Sequence, residues 1–302
     1  MKSFNSIVKD ISTLKIQGAV NIAKASLDAI SLVQAKSHKT LLSSLNKSRR
    51  QLFNARPTEP ALRNSINYIL YGIDQTQDYL DLKELVEARV KLAKEHFKST
   101  NLKIPRIGER KVQNSSVIFT HCHSSTVVDV LKYAKSKGKK FIVHNTETRP
   151  RYQGRKTATE LAKHGIPVVH YVDSAARLAL KKADLVLIGA DAITSEGKVI
   201  NKIGSEMIVE MANNYQIPIY ICSDSWKFDP LSINGTEEPI EIRSSKEVWD
   251  KKPKGVKIMN YAFEKIDPDL ITGIISELGV FKPEIFMQEV RLKYPWMFTS
   301  LF

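Results

Sequence analysis

The chain has 302 residues, 42% of them hydrophobic, and carries 46 Lys and Arg against 32 Asp and Glu for a net charge of +14. That is enough apolar material for one large domain or two modest ones, which excludes a disordered chain. No apolar run reaches the roughly 18 residues of a membrane span, and the opening Met1 to Asp10 lacks the apolar centre of a secretion signal, so no membrane contact and a cytoplasmic location are expected.

From Ile7 to about Phe53 apolar residues recur at helical spacing, as in Ile16, Val20, Ala23, Leu27 and Ile30. A break at Arg56-Pro57-Thr58-Glu59-Pro60 starts a further helical stretch through Tyr68, Leu80, Leu85 and Leu92 to about Phe97. Residues 1–110 hold 19 Lys and Arg against 10 Asp and Glu, a net of +9. This excess is scattered over Lys15, Lys24, Lys36, Lys39, Lys47, Arg49 and Arg50 without interleaved aromatics. It reads as a solvated helix face rather than a nucleic-acid surface, and basic charge also draws in multiply phosphorylated small molecules. Ser99 to Asn114, with Pro105 and Gly108, reads as a linker with room for a short strand.

Beyond the linker, short apolar runs alternate with amphipathic helices, the pattern of a parallel sheet covered on both faces. The expected strands are Val117 to Cys122, Phe141 to Asn145, Val168 to Val172, Leu185 to Ala190 and Ile217 to Ser223, with a sixth around Val256 to Met259. The expected helices are Val127 to Lys137, Lys156 to His164, Ala175 to Lys182 and Ser205 to Asn214. The fold class is therefore α/β: an N-terminal helical domain, 1–112, followed by a Rossmann-like parallel-sheet domain, 113–302, with helices on both faces. The closing segment from Gly279 to Trp296 is apolar enough to pack on a partner subunit or back on its own sheet.

If the runs ending at Cys122 and Asp191 are neighbouring parallel strands, a thiol and a carboxyl stand together at the carboxyl edge of the sheet, where open α/β folds bind ligands. His123-Ser124-Ser125-Thr126 follows Cys122 and can cap a helix whose free N–H groups face an anion. A thiol so placed, beside histidines, has a lowered pKa and acts as a base or nucleophile. The competing role is a buried apolar cysteine. For Asp191, a turn or cap role stands level with catalysis on spacing alone.

Asn201-Lys202-Ile203-Gly204 reads as a helix opening whose amide and ammonium face one phosphate or hydroxyl cluster. Lys227, in Ser225-Trp226-Lys227-Phe228, is another cation at the same sheet edge, although taken locally it reads as a surface lysine beside a packing Trp. Arg149 either clamps an anion or pairs with Glu147. Cys222 reads as core. The two cysteines and seven histidines form no metal-ligand motif, and neither a Walker A loop nor Gly-x-Gly-x-x-Gly is present, so no metal and no nucleotide cofactor are expected.

Together, Thr120-His121-Cys122-His123-Ser124-Ser125, Thr146-Glu147-Thr148-Arg149-Pro150, Gln153-Gly154, Gly165-Ile166-Pro167, Asp173-Ser174-Ala175-Ala176, Gly189-Ala190-Asp191, Asn201-Lys202-Ile203-Gly204 and Trp226-Lys227-Phe228 resemble one superfamily. Its members are the regulatory subunits of translation initiation factor 2B, the methylthioribose-1-phosphate isomerases and the archaeal ribose-1,5-bisphosphate isomerases. Gln17-Gly18-Ala19 and Asn54-Ala55-Arg56-Pro57-Thr58 extend the likeness to nearly the whole chain. The initiation-factor subunits typically lack the thiol and the aspartate, whereas both isomerase groups keep them. Cys122-His123-Ser124-Ser125, the run from Glu147 to Gly154 and Trp226-Lys227-Phe228 resemble the ribose-bisphosphate group most.

The resemblance implies conversion of α-D-ribose 1,5-bisphosphate to ribulose 1,5-bisphosphate in nucleoside or AMP breakdown, with Cys122 and Asp191 catalytic. It places the phosphates on Gln17, Gly18, Ala19, Val20, Arg56, Ser124, Ser125, Thr126, Asn201, Lys202 and Lys227. The superfamily usually carries Arg where this chain has Gln17 and Gly where it has Val20, and a neutral amide does not replace a guanidinium fork on phosphate. The resemblance also implies a dimer-based homo-oligomer, up to a hexamer. The alternatives are a regulatory homologue of the initiation-factor subunits without catalysis and a methylthioribose-1-phosphate isomerase.

Overall fold

The computed structural model describes residues 2–236 and 239–299. The chain opens with five helices, α1 Phe4–Ser12, α2 Ala19–Ile30, α3 His38–Ala55, α4 Pro60–Leu70 and α5 Tyr79–Gly108. Polar side chains start three of them: Ser3, Ser37 and Asp78 each accept a backbone N–H of the first turn of α1, α3 and α5. The helical recurrence from Ile16 onward becomes the buried stripe Ala19, Ile22, Ala23, Leu27 and Ile30 of α2.

The expected linker is instead the end of α5, which runs through Pro105 to Gly108 and passes into a short 3-10 turn, Glu109–Lys111, with no strand. Ile104, Pro105 and Gly108 are buried there. A Cβ at Gly108 would lie 2.8 Å from Val130 Cγ2, so this glycine permits close approach to a neighbouring helix instead of marking a loop. Proline near a helix end forfeits one backbone donor, a cost that tertiary packing offsets here.

The sheet region follows as β1 Ser116–Thr120, α6 Ser125–Ser136, β2 Phe141–Thr146, α7 Gln153–Lys163, β3 Val168–Tyr171, α8 Ala176–Leu180 and β4 Leu185–Gly189. A hairpin, β5 Ala192–Ile193 and β6 Val199–Lys202, interrupts the alternation before α9 Ser205–Asn214 and β7 Ile219–Cys222. The chain ends with β8 Phe263–Ile266, β9 Gly273–Ser276, β10 Gly279–Phe281, α10 Pro283–Lys293 and α11 Trp296–Thr299. Seven strands form the main sheet in the order β10-β9-β7-β4-β1-β2-β3, while β5, β6 and β8 make a small antiparallel sheet. All pairings of the main sheet are parallel except β10 on β9.

The expected strand at Val256 to Met259 is not formed. The segment lies outside any strand, and the sixth parallel strand is β9. The apolar residues Val256 and Met259 remain exposed, so they had no sheet face to bury against.

Alternation along the strands divides the core. Phe119, Val186, Ile188, Ile221 and Ile274 join a cluster that reaches from Ile7 of α1 to Met297 of α11. Ile118, Leu185, Leu187, Cys222 and Ile275 face the other side, against Ile104, Val127 and Leu131. Helices α1 to α4 and the first part of α5 therefore lie on one sheet face, the end of α5 reaches the other through Ile104, and Cys222 is core as expected. The closing segment packs on its own chain. Phe286 and Val290 are fully buried, and Trp296 meets Tyr68 and Trp226 with ring centroids 5.1 and 5.3 Å away. Among the described residues no helix is long and apolar enough to cross a membrane.

Because the Gly108 contact has no room for added methyls, Gly108→Val is expected to cost about 2 kcal/mol of stability by overpacking. Urea unfolding measures it, and an unchanged midpoint would contradict the packing role.

Candidate active site

The chain builds β1, β2 and β3 outward in one direction, then returns to lay β4 and β7 on the other side of β1. The order reverses between β1 and β4, which pair in parallel through Ile118 with Leu185 and Phe119 with Val186. Crevices at such reversals, outside the carboxyl ends of the strands, are where these sheets bind ligands. A cavity of about 280 Å³ lies there, lined by Cys122 and Asp191 from the two strand ends and by Gln17, Gly18, Ala19 and Val20 at the start of α2.

Cys122 has φ +63°, a left-handed conformation that a side chain disfavours. It is pinned on both sides: its N–H donates to Thr148 Oγ1 at 3.0 Å, and its carbonyl accepts from Thr157 Oγ1 at 2.8 Å. The preceding His121 is buried between Thr146 Oγ1 and the Ile203 carbonyl, at 2.6 and 2.9 Å, and burial lowers its pKa. The expected acidic thiol is not found. Burial pushes the Cys122 pKa up to about 11, with Lys202 the main opposing charge. His123 gives little help: burial, and then Lys156, lowers its pKa to about 4, so it is neutral.

Asp191 leads directly into the β5–β6 hairpin, and its backbone N–H donates to the Ile200 carbonyl at 2.8 Å. Asn201 and Lys202 stand at the end of β6 and do not open a helix; Gly204 is the N-cap of α9. The antiparallel register sets Lys202 opposite Phe263 of β8, and its ammonium lies 4.3 Å from the ring centroid. Burial lowers the Lys202 pKa against the pull of Cys122. Asn201 Nδ2 donates to Ser205 Oγ at 2.9 Å.

Lys227 is buried, at 6% exposure, contrary to its local reading as a surface lysine, and its Nζ donates to the Ala190 carbonyl at 2.6 Å. The turn that carries it is gripped by the helical region. Asn64 Nδ2 donates to the carbonyls of Trp226 and Phe228 at 2.8 and 2.7 Å, and Arg63 pairs with Asp229 at 3.0 Å. His96 pairs with Asp224 at 3.0 Å and stacks on Trp226 at 4.1 Å.

His96, Asp224 and Glu277 bring ligand-type atoms within 4.8 Å of one another, the one such group found among the described residues. Glu277 accepts from the Ser225 N–H, the Ser225 hydroxyl and Tyr294, and Asp224 accepts from the Trp226 N–H. These bonds suit a structural clamp.

Five cations, Arg56, Lys156, Lys202, Lys227 and Arg243, face the cavity against three carboxylates, Glu59, Glu160 and Asp191. Arg56 is held by Glu59 and Glu241 at 3.3 and 3.1 Å, and Arg243 reaches Glu241 at 3.2 Å. Lys202 and Lys227 line the space with an aromatic ring and a neutral carbonyl as their partners and no carboxylate paired to either, so the cavity favours an anion. Two helix starts add to this. α2 begins at Gly18, φ +86°, with no side chain capping its first N–H groups, and α6 begins at Ser124, whose Oγ accepts from Val127 at 3.4 Å.

Of the expected ligand residues, Ser124 and Ser125 line the cavity and Thr126 does not. Thr126 lies one position further into α6, beyond the cap. Gln17 lines it, but its amide donates to the Leu14 carbonyl at 2.7 Å and so is partly committed. Arg149 neither pairs with Glu147 nor faces the cavity. It donates to Tyr152 Oη and the Val248 carbonyl at 2.6 and 3.3 Å, while Glu147 pairs with Arg155. The charged and amide residues not anticipated are Asn21, Glu59, Gln153, Lys156, Glu160 and Arg243. Glu59 had one signal, its place beside Arg56 and Pro57; Arg243 had none.

The Initiation factor 2 subunit family matches residues 15–283. The chain belongs to this family. It is 36% identical over 305 residues to the ribose 1,5-bisphosphate isomerase of Pyrococcus furiosus, with 97% of this chain and 94% of the relative covered. The crystal structure of translation initiation factor eIF-2B from Pyrococcus horikoshii OT3 superposes with a TM-score of 0.81 at 26% identity, covering 93% of this chain and 97% of that one. The 5-methylthioribose 1-phosphate isomerase of the same organism gives 0.79 at 25% identity, covering 96% and 88%. The family match spans every cavity residue from Gln17 to Arg243.

With its thiol protonated near neutral pH, Cys122 of this family member is expected to react with iodoacetamide at a rate that rises continuously from pH 7 to 10, because the thiolate is the reacting form. Lys202→Met, which removes the opposing charge, slows the reaction further. Mass spectrometry of the Cys122 peptide reads it, with buried Cys222 as internal control, and a plateau below pH 8 would contradict the raised pKa.

Proposed function

We propose that the protein isomerises α-D-ribose 1,5-bisphosphate to D-ribulose 1,5-bisphosphate. The observation that carries this reading is the joint placement of Cys122 and Asp191 in one cationic cavity at the reversal between β1 and β4. The 36% identity to a named ribose 1,5-bisphosphate isomerase over nearly the full chain supports the same substrate.

An aldose 1-phosphate cannot open its ring spontaneously, because the anomeric oxygen is blocked by phosphate. Asp191, in its acid form, protonates the ring oxygen as the bond from carbon 1 to that oxygen breaks. Cys122, as thiolate, removes the proton from carbon 2, leaving a double bond between carbons 1 and 2. The 2-hydroxyl then returns a proton to Asp191 while Cys122 delivers its proton to carbon 1, so both groups end as they began. Lys202 is the cation that favours the thiolate against burial. The uncapped start of α2 and the start of α6, with Lys202 and Lys227, supply two positive ends for two phosphates. A dimer-based homo-oligomer, up to a hexamer, and a cytoplasmic location belong to the same reading.

Proton NMR with α-ribose 1,5-bisphosphate tests it. Wild-type protein is expected to form ribulose 1,5-bisphosphate, and Cys122→Ser and Asp191→Asn each to fall by at least about 100-fold, the usual scale of an acid–base group. Absence of turnover, or variants as fast as wild type, would overturn it. Faster turnover of methylthioribose 1-phosphate would reassign the substrate.

A further inference from the structure

Glu59 occupies the N-cap position of α4 without capping it: its side chain accepts no N–H of that helix. The side chain turns into the cavity that holds Asp191, where the residue is 2% exposed. One oxygen accepts from Arg56 at 3.3 Å, and the other, Oε2, is buried with no hydrogen-bond partner. An ionised carboxylate oxygen buried without a donor is costly, whereas a protonated one becomes a donor into the space beside it.

We infer that Glu59 is a further acid group of this site, a protonated carboxyl whose Oε2–H is offered to the sugar in the cavity that Asp191 also lines. This rests on the isomerase reading for its kinetic consequence but not for the protonated carboxyl itself. The groups facing Glu59 are Arg56 on its own loop, Asp191 at the end of β4 and Lys227 from the turn after β7, with Glu241 beyond Arg56. Burial first, and then the charge on Asp191, raise the Glu59 pKa to about 7, while Arg56 and Lys227 pull it down. A carboxyl buried beside another carboxylate is thereby kept protonated toward neutral pH.

As pH rises through about 7, Glu59 loses this proton and turns from a donor into a second carboxylate facing the phosphates, while the Cys122 thiolate, with a pKa of about 11, is still increasing. The kcat/KM of wild type therefore bends downward relative to Glu59→Gln, whose uncharged amide keeps a donor at every pH and whose kcat/KM goes on rising through pH 7.

The test has two arms. Ligand-free protein carrying glutamate labelled with carbon-13 at the carboxyl is titrated by NMR. One glutamate is expected to titrate near pH 7 and to be missing in Glu59→Gln, and a wild type whose glutamates all titrate below pH 5.5 would overturn the inference. The second arm compares pH profiles of kcat/KM for wild type, Glu59→Gln and Glu59→Asp. The expected result is a bend near pH 7 in wild type that is absent in the amide and restored in the aspartate. A lower melting temperature with an unmoved profile would show a purely structural role and overturn it. If wild type shows the neutral titration but no turnover, the protonated carboxyl stands and the isomerase reading fails.

Discussion

The parallel pairing of β1 with β4 places two reactive residues 69 positions apart in the chain, Cys122 and Asp191, at one cavity. Each apolar run is buried on both faces: Ile118 and Leu185 pack on one side, Phe119 and Val186 on the other. A slip of one residue would reverse those faces and carry both strand ends out of register, so the packing that stabilises the sheet also fixes the site. The left-handed turn at Cys122 is held by two threonines from the loop after β2 and from α7, which ties the thiol's position to the same layers.

The opening helices do more than cover the sheet. α2 brings an uncapped start to the cavity, and α4 grips the turn that carries Lys227 through Asn64 and Arg63. α5 adds His96, whose pairing with Asp224 opposes the lowering of its pKa by burial and leaves that pKa raised. The buried ammonium of Lys227 depends on side chains more than 160 residues earlier. The helical region thus forms one wall of the site, and its core is continuous with that of the sheet.

Periodicity made the five parallel strands from β1 to β7 and the main helices legible, because each run is short, apolar and bounded by polar turns, while the pairing of the two reactive runs was only a condition until β1 was seen beside β4. What escaped it was set by distant contacts. Pro105 and Gly108 resemble loop punctuation until α6 is placed against them. The hairpin of β5 and β6 is too short to show a period, so Asn201 and Lys202 read as a helix start. The buried state of Lys227, the protonated Cys122 and the inward Glu59 all follow from desolvation, which no local pattern records.

We propose that one cavity presents a sugar bisphosphate to Cys122 and Asp191 at the β1–β4 crevice. A crystal structure of the Cys122→Ser protein with ribose 1,5-bisphosphate tests it most directly. Carbon 2 is expected beside residue 122, the ring oxygen beside Asp191, and the phosphates at the starts of α2 and α6. A sugar bound with its ring turned away from Asp191, or outside this cavity, would contradict it.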